Sequence, residues 1–395
     1  MNEMIIRLAA RGDGVTASGA FVAGAVPGDS VDANGTLSHG PDHIDAACRH
    51  FPKCGGCQLQ HVSDTAYAQY MVDRIAEALK AQALPLPEIR IPHLSPPGAR
   101  RRASLTAERK GKQVRLGFNE AGSHQVVDLA ECSVIAPELY ALMRPLRPFL
   151  RDMIAERKRV SVRMTWVDQG IDLMIGGVSG DSLSMAEAMM TFAQTHHLAR
   201  LSVDEGFGPY TRWEPEPVTM TLGGVAVAFP EGAFLQATRD GEDALVAAVT
   251  EAVGDAGESA DLFAGLGTFA FNLTTRVHAV EGARDALLAL KEAANRSGRL
   301  ITAEHRDLFR RPLTAAELNA YDAVVIDPPR AGAKDQVVEI AKSNVARIAS
   351  VSCNPATFAR DARILTDGGY RLDWIQPVGQ FRWSTHVELA AQFSR

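Results

Sequence analysis

The chain has 395 residues, enough for two or three domains with cores of their own. Apolar residues make up 46% and charged residues 22%, an ordinary globular balance, and no run of about 18 apolar residues occurs that would span a membrane. The net charge of −6 speaks in bulk against a nucleic-acid partner, yet residues 100–115 read RRRASLTAERKGKQVR, seven Lys or Arg against one Glu.

The opening MNEMIIRLAARGDG lacks the basic start and long apolar stretch of a secretory signal, so a cytoplasmic, reducing setting is expected. Residues 1–42 carry turn signals at Gly12–Gly14, Pro27–Gly28 and Asn34–Gly35, which predict short strands in a small β-barrel or added β-layer. Cys48, Cys54 and Cys57 follow. Residues 64–83 have helical spacing, with Tyr67, Tyr70, Met71, Ile75 and Leu79 on one side, and this helix is expected to pack on the C-terminal domain. Five prolines over 85–97 predict a linker or loop. Residues 100–230 alternate in segments such as 160–167 and 218–229, predicting a mostly antiparallel β-domain with a helix near 136–156.

The last 155 or so residues change character. Strand-like runs at 260–265, 277–282, 300–305, 321–329, 347–353, 371–378 and 386–393 alternate with amphipathic helical runs such as 283–298. That alternation predicts a doubly wound parallel sheet. The last two runs leave no room for a helix between them and should pair antiparallel. The expected domains are 1–42, 43–235 and 236–395.

Strand ends carry the chemistry of such sheets. The first ends in Asp261-Leu-Phe263-Ala-Gly265-Leu-Gly267-Thr268, where glycines let a ligand approach the backbone, and a helix is expected next. The second ends in Glu281, placed to accept both hydroxyls of a ribose. Position 270 is Ala where a dinucleotide fingerprint has its third glycine, so S-adenosylmethionine, NAD and neither all stay open. The fourth ends in Asp327-Pro328-Pro329-Arg330. The fifth ends in Ser352-Cys353-Asn354-Pro355 before a helix over 356–366. A thiol at a helix N-terminus is expected to have a lowered pKa, and the alternative is a small buried strand-end residue. Glu388 lies on the opposite face from Val387, Leu389, Ala391 and Phe393. It reads equally as a general base or as a solvated edge-strand carboxylate. Cys48-x5-Cys54-x2-Cys57 with the remote Cys132 fits zinc and an iron–sulfur cluster about equally.

Together these residues resemble the RNA 5-methyluridine methyltransferase family, over nearly the whole chain. The motifs that carry the likeness are the four cysteines, FLQAT (234–238), DLFAGLGTF, VEG (280–282), DPPRAG (327–332), VSCNPATFARD (351–361) and HVEL (386–389). The resemblance implies an α/β fold: a C-terminal Rossmann-like seven-stranded methyltransferase sheet, a central antiparallel domain bearing a [4Fe-4S] cluster on Cys48, Cys54, Cys57 and Cys132, and a shortened TRAM/OB-like N-terminal segment. By resemblance Gln236, Phe263, Gly265, Glu281, Asp307 and Asp327 contact S-adenosylmethionine, Thr268 lines the site, Cys353 is the nucleophile and Glu388 the base. Thr238 and Thr268 stand where many or some members have Asn. The fourth-strand motif lacks the second cysteine of cytidine-directed relatives, which favours uridine. Pairing of a TRAM-like segment with the cysteines favours ribosomal over transfer RNA, and a monomer is expected. The basic run at Arg100, Arg101, Arg102, Arg109, Lys110 and Lys112 is expected to contact phosphates, its alternative being a solvated β-hairpin.

Overall fold

The computed structural model describes residues 2–179, 182–274 and 276–395. Two compact units are interleaved in sequence. One comprises Met1–Tyr70, Pro96–Val218 and Phe381–Thr385; the other comprises Met71–Ser95, Thr219–Gln380 and His386–Arg395. No helix among the described residues is long and apolar enough to cross a membrane.

The first unit opens with five short strands, Glu3–Leu8, Gly14–Thr16, Phe21–Val22, Ser30–Val31 and Leu37–Ser38, in one antiparallel sheet with Glu3–Leu8 at its centre. Buried Asp29 braces it by accepting from the backbone N–H of Val26 at 2.9 Å and of Gly40 at 2.7 Å. A six-stranded sheet follows, in the order Pro209–Trp213, Leu198–Asp204, Gly170–Gly176, Arg159–Val167, Arg102–Lys110, Gln113–Gly117. All its pairs are antiparallel except Gly170–Gly176 with Leu198–Asp204. Helix Leu183–Thr195 joins these two parallel strands and was not expected from the sequence. The expected helix near 136–156 is Pro137–Met153. Leu139, Leu142, Met143, Leu146 and Leu150 form its buried stripe, at the i, i+3, i+4 spacing of a core-facing helix. Each such side chain contributes about 1.5–3 kcal/mol on full burial.

The second unit holds a nine-stranded sheet where the sequence predicts seven. Its order is Ile301–His305, Arg276–Glu281, Glu258–Leu262, Ala323–Ile326, Arg347–Ser352, Glu388–Ser394, Arg371–Gly379, Glu88–Ile89, and His93–Leu94 also pairs with Arg371–Gly379. The first five strands are parallel, and Glu388–Ser394 runs antiparallel between its two neighbours. The seven expected strands are all present. The two extra ones lie within the expected linker 85–97. They are two residues long and flanked by prolines, which an edge tolerates because one side of the strand needs no ladder. The hairpin Thr219–Leu222 with Val225–Ala228 also belongs to this unit.

A second correction concerns the segment after the first strand. Residues 265–272 form successive turns rather than the expected α-helix. Gly267 has φ +91°, and a Cβ there would lie 2.9 Å from the Phe271 ring, so a regular helix cannot start through it. The order of the parallel strands reverses direction between Glu258–Leu262 and Ala323–Ile326. A crevice therefore opens at their carboxyl ends, where Asp261 and Asp327 lie.

Candidate active site and cysteine cavity

Register brings the two principal candidates together. In the antiparallel pair of Arg347–Ser352 with Glu388–Ser394, Ser352 lies opposite Leu389. Cys353 directly follows Ser352 and Glu388 directly precedes Leu389, and the two side chains are near enough for the Glu388 carboxylate to act on the Cys353 thiol. The strand bearing Glu388 is interior to the sheet and Glu388 is buried, so the solvated edge-strand alternative falls.

Cys353 is a free, half-buried thiol. Burial pushes it above the ordinary thiol value, and the nearby carboxylates of Glu388 and Asp327 push further, against a weaker pull from Arg330. This corrects the lowered pKa expected from a helix N-terminus. The N-cap of helix Pro355–Asp367 is Asn354, whose Oδ1 accepts from the Ala356 N–H at 3.1 Å. Two acidic neighbours in a poorly solvated place outweigh the helix dipole. Asn354 Nδ2 and Thr357 Oγ1 both donate to the Arg330 carbonyl at 3.3 Å, which ties the DPPR turn to the SCNP turn.

Three carboxylates converge at the crevice. Asp261 is fully buried; its Oδ2 accepts from Ala270 N–H at 3.0 Å, and its Oδ1 has no partner among the described residues. Burial raises its pKa to about 8, with further push from Asp327 and Glu281. Burial likewise raises Asp327 to about 7. Glu281 is pinned by Gly265 N–H on Oε2 at 2.8 Å and by Ala283 N–H on Oε1 at 2.6 Å. A cation entering this crevice would favour the ionised forms of Asp261 and Asp327, which burial otherwise disfavours.

Phe263 sits beside it at φ +62°, a strained conformation for a non-glycine residue, and Gly265 follows at φ +57°. Its ring meets that of Phe309 at 5.3 Å between centroids. Phe309 is 50% exposed, so the pair offers an aromatic face to a planar ligand. Thr268 is half-buried on the turn run. Asp307 turns its Oδ1 back to the Phe309 and Arg310 N–H groups at 3.0 and 3.3 Å, which shapes the loop that carries Phe309. Gln236 is buried beside Gln380. Thr238 caps helix Arg239–Val253 through Gly241 N–H. Sequence reasoning gave no role to Asp261, Phe309 or Gln380. Asp261 stands inside a motif already read for its glycines, whereas Gln380 has partners more than 140 positions away, which no local pattern reveals.

In the first unit, Cys48, Cys54, Cys57 and Cys132 line one small cavity of about 10 Å³ together with Phe51, Phe118 and Gln60. Gly55 lets the loop close over it, since a Cβ there would lie 2.8 Å from the Asn119 carbonyl oxygen. Burial raises Cys48 and Cys54 and pushes Cys57 up to about 12. Among the described residues no three His, Cys, Asp or Glu side chains form a group that could hold a metal ion. The thiols thus share a cavity without single-ion spacing.

The basic run is not the continuous surface expected. Arg101 is 5% exposed. Arg100 is half-buried, its guanidinium lying 5.7 Å over Phe118 and 5.3 Å over Phe381. Arg102 is half-buried at the start of its strand. Arg109 donates to the carbonyls of Arg151 and Ile154 at 2.9 Å, satisfying the end of helix Pro137–Met153. Lys110 pairs with Glu108 at 3.3 Å, and Lys112 stands exposed on the turn. Strand alternation and helix capping draw most of these cations inward, which a linear charge count does not register.

Residues 224–395 match the family described as tRNA (Uracil-5-)-methyltransferase. An uncharacterized RNA methyltransferase of Zymomonas mobilis is 50% identical over 395 residues, spanning 100% of both chains. The 23S rRNA (uracil(1939)-C(5))-methyltransferase RlmD of Pectobacterium carotovorum is 27% identical over 401 residues, covering 94% of this chain and 88% of that one. The solved Pyrococcus abyssi tRNA (uracil-54, C5)-methyltransferase, in complex with S-adenosyl-L-homocysteine, has a TM-score of 0.74 at 20% identity over 100% of both chains, a likeness of fold. With half its residues shared end to end with one relative, and the family match spanning both Cys353 and Glu388, the chain belongs to the RNA uracil-5-methyltransferase family and is an RNA methyltransferase.

Proposed function

We propose that the enzyme methylates C5 of a uridine in RNA, with Cys353 as nucleophile, Glu388 as base and S-adenosylmethionine as methyl donor. The pairing of Ser352 with Leu389, which brings the neighbouring Cys353 and Glu388 within electrostatic reach of each other, is the observation that carries this reading. Uracil C5 is a poor nucleophile. Attack of the Cys353 thiolate on C6 would make C5 enolate-like and able to take a methyl group. Glu388 would then remove the C5 proton, and elimination would restore the free thiol. Bound S-adenosylmethionine supplies the electrophilic methyl. The carboxylates of Asp261 and Asp327 suit its positive charge, Glu281 suits ribose hydroxyls, and Phe263 with Phe309 suits its adenine. Gln236, Gly265, Thr268 and Asp307 complete the proposed donor site. The target base must leave its stack to expose C6, so a loop or flipped uridine is expected.

Large-subunit ribosomal RNA is the preferred substrate. Support comes from the small N-terminal β-sheet paired with the four cysteines, and from the relative whose name specifies 23S rRNA. Unmodified 23S rRNA, incubated with labelled donor, should be labelled in preference to bulk transfer RNA made without the modification. Labelling of transfer RNA alone would overturn the preference and leave the chemistry standing. Lys110 and Lys112 are the residues of the basic run best placed to contribute phosphate contacts, which would make binding salt-dependent.

We further propose, from the family resemblance, that Cys48, Cys54, Cys57 and Cys132 hold a [4Fe-4S] cluster. They line one cavity, which brings the remote Cys132 to the other three. When bound, the cluster would supply charge to thiols that burial otherwise keeps protonated, and would cross-link residues 48–57 to Cys132. Protein purified anaerobically should be brown with about four irons per chain. Cys54→Ser should lose the iron and lower the melting temperature. Stoichiometric zinc without visible absorbance would reject the cluster.

A further inference from the structure

Gln380 follows the strand Arg371–Gly379, eight positions before Glu388, and is 2% exposed. Its amide has a determined orientation. The Oε1 accepts from the backbone N–H of Ala237 at 2.6 Å and of Thr238 at 3.4 Å. Backbone N–H groups only donate, so the oxygen must face them and Nε2 must face the other way. There Nε2 donates to Gln236 Oε1 at 2.7 Å and to Glu388 Oε2. One buried amide thus joins the FLQAT segment, the start of helix Arg239–Val253 and the Glu388 carboxylate.

We propose that Gln380 is a positioning residue, which holds the Glu388 carboxylate and the Gln236 amide in one frame and so aims Glu388 at the substrate carbon. This rests on the reading of Glu388 as the base. The step served is elimination. The C5 proton passes to Glu388, its electron pair forms the C5–C6 double bond, and the C6–sulfur bond breaks to release Cys353 as thiolate. A glutamate side chain has three rotatable torsions, and a fixed donor removes that freedom before substrate arrives. A neutral amide does so without the ion pair that would weaken the carboxylate as a proton acceptor. An Arg or Lys could not serve as well.

The test uses the full chain and unmodified RNA, comparing wild type with Gln380→Met and Gln380→Glu. Methionine keeps the volume and removes the donor. Glutamate keeps the shape and presents an acceptor to Gln236 Oε1 and Glu388 Oε2. Both variants should lose about 10- to 100-fold in kcat, while KM for the donor, whose proposed contact Gln236 shares the same amide, rises by a smaller factor. Both should also accumulate covalent protein–RNA adduct on a denaturing gel, which loss of packing alone would not produce. If Gln380→Met fails to fold by thermal melting, Gln380→Glu carries the test. A folded variant with wild-type kcat, or one that loses donor affinity with no adduct, overturns the proposal. Absence of C5-methyluridine with the wild-type enzyme would instead overturn the functional reading itself.

Discussion

Cys353→Ala is expected to abolish methyl transfer, by at least about 10⁴-fold in kcat, while donor binding persists. The thiol acts on uracil, whereas the proposed donor contacts lie on the turns after the first and second strands, on the FLQAT segment and at Asp307 and Asp327. The cap of helix Pro355–Asp367 is Asn354, so alanine at 353 leaves the helix start intact. Equilibrium binding of the donor and turnover on unmodified RNA separate the two effects. Wild-type rates would refute the nucleophile assignment. The same residue sets a pH dependence. Its pKa is raised by burial and by Glu388 and Asp327, so the thiolate is the minor form at neutral pH and grows as pH rises. If the free enzyme must ionise this thiol before attack, kcat/KM should climb with pH by up to about tenfold per unit below the pKa. A profile that falls over pH 6–8 would contradict the raised thiol.

Glu388→Gln should behave differently. Attack on C6 and methylation of C5 need no carboxylate at 388, but elimination does. Turnover should fall by about 10² to 10⁴, the usual contribution of a positioned acid or base. A methylated covalent protein–RNA complex should build up and be retarded on a denaturing gel. Gln is close to isosteric with Glu, and its Oε can still accept from Gln380 Nε2, so the buried strand start should survive. Normal turnover in this variant would remove Glu388 from the chemistry. Loss of activity with no adduct would assign it to an earlier step.

Much of this architecture is legible along the chain because its signals are local. The period-two and helical runs after residue 255 place seven strands to within a few residues, and the missing helix between the last two makes them antiparallel. The buried stripe of helix Asp64–Ala81 at Tyr67, Tyr70, Met71, Ile75 and Leu79 follows from spacing alone. Cys353, Glu388, Asp327 and Glu281 stand at strand ends, where such sheets keep their ligands, so their candidacy could be argued without coordinates. What failed also had local reasons. Two-residue strands among prolines have no period to read, and a glycine-rich segment taken for a helix is a chain of turns.

Other properties were settled only by tertiary structure, because they depend on what lies across from a residue. Burial beside two carboxylates reversed the expected direction of the Cys353 pKa. An interior strand, not an edge, took Glu388 out of solvent. Within residues 100–112, Arg109 satisfies a helix end, Arg100 lies over aromatic rings and Lys110 pairs with Glu108, so these charges do not form one continuous basic surface. Gln380 gained meaning from Gln236, Ala237 and Glu388, which folding brings to one amide. The sequence by itself determined the order of elements and the chemical types at the strand ends, because spacing and propensity act along the chain. Solvation, charge neighbours and hydrogen-bond partners belong to three-dimensional packing, and these decide how the site can work.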